Sequence, residues 1–188
     1  MALMVSTFSI ATENNSFLKV HFNLHNRSAC RAKDRATQFH TFRKGKTMTT
    51  ILENNSYSFS RLEAEDAILF TWKQIPGLEV SLFKAGIQAF AELCRQHNPA
   101  KGIIDATALD QQSAAVAWLR GQSDAEAQTY DNWWLEEIVP KYNAANLTGL
   151  AVATGDPSAP GELPNLPEAV KFKIGYFPDI AASVDWQP

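Results

Sequence analysis

An α/β domain built on a single mixed sheet of about five strands, covered by helices, is the fold this sequence predicts, and three observations predict it. β-rich runs alternate with helix-period segments after an opening strand pair, the order that produces one sheet with helices on it. The runs GIID (102–105) and GLAVAT (149–154) are short, continuous and apolar, as buried strands are. Finally, 188 residues at 45% hydrophobic can bury one sizeable core but not two ordinary ones.

Taken in order, Tyr57–Phe59 and AILFTW (67–72) are rich in aromatic and β-branched residues. They flank the charged stretch RLEAED, which predicts a hairpin or a pair of adjacent strands. Pro76 and Gly77 punctuate the chain. From Glu79, apolar residues recur at Phe83, Ile87, Phe90 and Cys94 with Leu82, Gly86 and Leu93 beside them, one wide face of an amphipathic helix. Asn98-Pro99 stops it, because proline disfavours helical geometry in the residue before it, and His97 falls on the last turn, where a cation suits the dipole.

GIID then follows as a strand ending at Asp105. Ala114–Leu119 predicts a short helix and 123–142 a long one, with Tyr130, Trp134 and Ile138 on one stripe and Ser123 with Glu126 as a capping box. After GLAVAT, the stretch 155–167 holds four prolines and two glycines and reads as a loop. Val170–Ile174 predicts a last edge strand, and 179–186 a terminal helix capped by Asp179. Parallel crossovers would carry the ends of GIID and GLAVAT to the same rim of the sheet.

The net charge of -3 conceals an asymmetry. Residues 1–47 carry eight Lys or Arg against Glu13 and Asp34, leaving nine basic and eighteen acidic residues for 48–188. An acidic body argues against nucleic acid as its partner. The basic arm is rich in Ser, Thr, Asn and Arg and lacks an apolar period. Its readings are a transit peptide, a tail for an acidic partner, or upstream sequence from a start assigned too early, with Met48 as the true start; a mis-assigned start or a disordered leader is favoured because such biased polar segments seldom fold. His21, His25 and Cys30 lack a fourth ligand at zinc spacing. No run of eighteen apolar residues occurs, so no membrane span is expected, and two cysteines in unrelated contexts fit a reducing, cytoplasmic setting.

AEDAILFTW, FKAGIQAFAEL, KGIIDATAL, WWLEEIVPKYNAANLTGLAVAT and FPDIAASVDW follow one another in an order that resembles the STAS or SpoIIAA-like domains, over about residues 55–186. The resemblance implies a sheet of that build and a regulatory role through partner proteins. In some members it also implies phosphorylation of a serine in an Asp-Ser-Ser-Gly turn after the strand ending in Asp. The corresponding turn here is Asp110-Gln111-Gln112-Ser113, without the glycine or the second serine.

The chemistry the residues offer is sparse. Asp105 at its strand end either orients a reacting or partner group or accepts hydrogen bonds from the next turn. Thr107 and Ser113 are phosphoacceptors or turn and cap residues, and Asp110 opens the turn. Glu136 and Glu137 stand beside Trp133 and Trp134, but adjacent helix residues point about 100° apart, so the two carboxyls do not flank one bond as a glycosidase requires. GxSxG, Walker, GxGxxG and HExxH patterns are absent from the sequence. The expectation is a non-enzymatic regulatory or binding module, without cofactor or metal. It would meet a protein partner or a small anionic or lipid-like ligand at the rim formed by Asp105, Thr107, Asp110 and Ser113. A homodimer is a further possibility, and a small hydrolase or isomerase using Asp105 as acid or base is the alternative.

Overall fold

The computed structural model of the chain describes residues 47–123 and 126–188; the expectations for the basic arm, including His21, His25 and Cys30, lie outside them. The described chain runs β1 (Met48–Glu53), β2 (Tyr57–Leu62), β3 (Ala67–Trp72), α1 (Val80–His97), β4 (Lys101–Asp105) and α2 (Ala114–Leu119). It continues with α3 (Tyr130–Trp133), a π-helical turn (Trp134–Ile138), α4 (Val139–Ala144), β5 (Gly149–Ala153), β6 (Gly161–Glu162), β7 (Lys173–Phe177) and α5 (Ile180–Asp185). One mixed sheet results, in the order β1-β2-β3-β4-β5-β7-β6. β1, β2 and β3 pair antiparallel, β3, β4, β5 and β7 run parallel, and β6 returns antiparallel on β7.

The sheet therefore has seven strands, not about five. β1 escapes a pattern reading because its exposure does not alternate: Thr49, Thr50, Leu52 and Glu53 are all exposed and its register slips between Thr50 and Leu52. β6 is two residues inside the proline-rich loop. The last strand lies at Lys173–Phe177 instead of 170–174 and is interior, flanked by β5 and β6. Val170 is held back in a turn, its N–H donating to Pro167 O, and the inward alternation is carried by Ile174 and Tyr176.

The predicted long helix starts late. Thr129, not Ser123, is the cap, its side chain accepting from Asn132 N, and Glu126 receives the ammonium of Lys84 at 2.9 Å instead of closing a capping box. Lys84 in turn lies 4.8 Å above the Trp118 ring. Tertiary pairing of a cation with a carboxylate and an aromatic face has outweighed local cap chemistry.

Alternation along the strands separates two cores. Ile68, Phe70 and Trp72 of β3, Ile104 of β4 and Leu150 and Val152 of β5 meet α1, α2, α4 and the π turn in the main core. Leu62, Ala67, Leu69, Ile103 and Ala151 point the other way, into a smaller cluster with Val184 of α5. Gly86 sets how closely α1 lies on the sheet: a Cβ there would stand 2.5 Å from the Trp72 ring. Trp72 stacks on Phe83 at 5.6 Å, a contact that this close approach permits.

α5 packs on the smaller cluster through Val184 and Ile180. Asp179 caps it, Oδ1 accepting from Ala182 N at 2.8 Å. At its other end the buried ammonium of Lys101 donates to Val184 O and, at 2.7 Å, to Trp186 O. A carboxylate at the N-terminus and a cation at the C-terminus both suit the helix dipole.

Candidate functional site

The rim at the carboxyl ends of the parallel strands is assembled by the register. Asp105 lies between Thr71 of β3 and Ala153 of β5, so the ends of GIID and GLAVAT do share one edge. Beyond Asp105 the chain turns sharply, with Leu109 N donating to Ala106 O and Ser113 N to Asp110 O. This corner brings Thr107, Asp110 and Ser113 onto one short connection between β4 and α2.

Asp105 is only 1% exposed, whereas the sequence suggests an accessible edge carboxylate. The physical reason lies in the turn itself. Its Oδ1 accepts from the backbone N–H of Thr107 at 3.1 Å and from Thr107 Oγ1 at 2.6 Å, which folds the following residues back over the carboxyl. A buried carboxylate satisfied in this way is costly to leave unpaired and strongly held once paired. Thr107 is half-buried, its hydroxyl spent on Asp105.

Ser113 is likewise 1% exposed. Its Oγ donates to Asp110 O at 2.7 Å and accepts from Val116 N at 3.3 Å, capping α2. A phosphoacceptor serine must present its hydroxyl to an enzyme, and this one is turned inward and used twice. Asp110 is half-buried: Oδ1 accepts from Gln112 N at 3.0 Å and Oδ2 from Gly77 N at 3.1 Å. Those backbone donors, Gln112 first and Gly77 second, hold its carboxyl below the usual aspartate range.

Two parts of the corner were not visible as partners in the sequence. The Pro76-Gly77 turn docks on it through Gly77 and through Leu78, whose carbonyl accepts from Ala115 N at 3.0 Å. Gly155, at the end of β5, lies beside Thr107 with φ of 78°, a left-handed conformation that glycine adopts without strain. Punctuation by Gly marked both turns; nothing in their spacing said which corner they would meet.

The other candidates are placed plainly. Trp133 and Trp134 fill the core at 1% and 4% exposure, while Glu136 and Glu137 face outward and take bonds from Gln128 and Gln88. Cys94 is a free, buried thiol whose pKa burial pushes well up. Among the described residues no group of three or more His, Cys, Asp and Glu is arranged to hold a metal ion, and no helix is long and apolar enough to cross a membrane.

A separate cavity of about 30 Å³ lies between the sheet and the helices, floored by Ile104, Leu150 and Val152 and walled by Tyr130, Tyr142 and Tyr176. Asp105 does not line it: Ile104 and Asp105 are neighbours on a strand, so their side chains take opposite faces. With the architecture and corner in view, comparison with known proteins returns no match to any family model, curated protein or solved structure.

Proposed function

We propose that this chain is a non-catalytic binding module of the STAS or SpoIIAA-like kind, meeting a protein partner with the β4–α2 corner. One observation carries the reading: the polar side chains of the corner are committed to shaping it. Asp105 and Asp110 accept backbone N–H groups, and Ser113 caps a helix. Groups so engaged make a rigid, pre-ordered surface, and a pre-ordered surface binds without the cost of ordering itself. An acid or base needs a proton path to a substrate, whereas Asp105 is spent within its own turn.

The exposed side chain of Gln112 offers a position for a photoreactive amino acid at the corner. Gln96, exposed at the other end of the sheet near the close of α1, provides the control. In the native host, the expected result is a discrete, saturable protein adduct from position 112 that is absent from position 96 and diminished by Asp110→Ala. Indistinguishable adducts from the two positions would remove the proposal.

A further inference from the structure

The tyrosine-walled cavity points to a site on the other face of the sheet from Asp105, and the inference stands whether or not the corner binds a partner. Tyr142 is fully buried, and its hydroxyl has no hydrogen-bond partner among the described residues, the neighbouring Cys94 thiol included. A buried hydroxyl left unsatisfied costs free energy comparable to a lost hydrogen bond. Its ring lines the cavity together with those of Tyr130 and Tyr176.

From the unpartnered Tyr142 hydroxyl and the cavity that Tyr142 lines, we infer that the cavity is a binding site for a neutral hydroxyl, namely ordered water. Size and chemistry select the occupant. The volume of about 30 Å³ exceeds the roughly 10–15 Å³ that a water needs and is far below that of a site for a drug-sized ligand. No charged side chain lines the site, so an ion would enter it uncompensated.

Phenols both donate and accept, and burial pushes the pKa of all three tyrosines up, keeping them protonated. Water, with two donors and two acceptors, can meet either need of the Tyr142 hydroxyl; a carbonyl, which only accepts, does so less completely. The site adjoins the π turn through Trp134, which also lines the cavity. A π turn widens the backbone ring by one residue relative to an α-helix, and here it accompanies the gap between helix and sheet.

The test combines a high-resolution room-temperature crystal structure of the full chain with thermal unfolding of Tyr142→Phe. The expected density is ordered water, with one molecule within hydrogen-bond distance of Tyr142 Oη. The expected effect of the substitution is loss of that water and a Tm lower by about 2–4 °C. Removing a hydroxyl that bonded to nothing would relieve a penalty and raise Tm, so a rise overturns the inference, as does a cavity without density in the wild-type protein.

Discussion

Lys101 and Trp186 are joined across the whole second half of the domain: the lysine ammonium, buried on β4, donates at 2.7 Å to the carbonyl that follows α5. The same ammonium reaches Val184 O, so one central-strand cation satisfies two carbonyls that the end of a helix leaves without intrahelical donors. Lys101→Met keeps the aliphatic stem and removes the donor. The expected loss is about 1.5–3 kcal/mol, the range for hydrogen bonds to charged groups, read by denaturant unfolding. Hydrogen exchange should quicken first in α5; uniform acceleration over the whole chain would contradict a local role.

Ser113 gives a prediction of opposite tone. Because its hydroxyl caps α2 and is 1% exposed, Ser113→Ala is expected to cost about 1 kcal/mol of stability. Phosphate analysis of protein from its own host is expected to find Ser113 unmodified. A phosphoserine there would require the corner to open, and would restore a switch of the kind the resemblance implies.

Gly86 tests the close approach of α1. In an isolated helix Gly→Ala is favourable by about 1 kcal/mol, but here the new methyl meets the Trp72 ring at 2.5 and 2.9 Å and Phe70 at 3.1 Å. Overpacking of this sort costs about 1–3 kcal/mol, so Gly86→Ala is expected to destabilise. A gain in Tm would mean that Trp72 moves aside freely.

Acid sensitivity follows from two carboxylates. Hydrogen bonds from Arg95, and then Gln96, lower Glu92 to about 2, and the backbone donors Gln112 and Gly77 lower Asp110. A carboxyl depressed in the folded state contributes stability above its unfolded pKa, near 4, and that contribution fades as pH falls through the folded value. Both contributions are therefore present in full at neutrality and are lost only as pH falls below about 4. Carboxyl-carbon NMR titration is expected to place Glu92 near 2 and to return it toward 4 in Arg95→Gln. Asp110→Asn should flatten the acid limb of the unfolding curve; an unchanged limb would contradict the role given to Gly77 and Gln112.

Local signals were legible where local physics decides. Ser113 and Asp179 cap the helices their positions suggest, and α1 ends at Asn98, which takes the left-handed conformation at φ 44° just before Pro99. The pair Ser123 and Glu126 misled for an instructive reason. A capping box is a gain of about 1 kcal/mol, and here Glu126 instead serves the Lys84 ammonium over Trp118, a pairing across 42 residues that no window of sequence contains.

From the residues alone came the α/β class, the central strands GIID and GLAVAT, their shared rim and the amphipathic face of α1, because each follows from the periodicity of apolar side chains. Tertiary structure alone decided that Asp105 is enclosed, that Gly77 reaches Asp110, that Lys101 holds the tail, and that three tyrosines from three elements meet around one cavity. Burial and long-range hydrogen bonds depend on which surfaces come together in space, and the alternation of polar and apolar residues that specifies a strand does not name its neighbours.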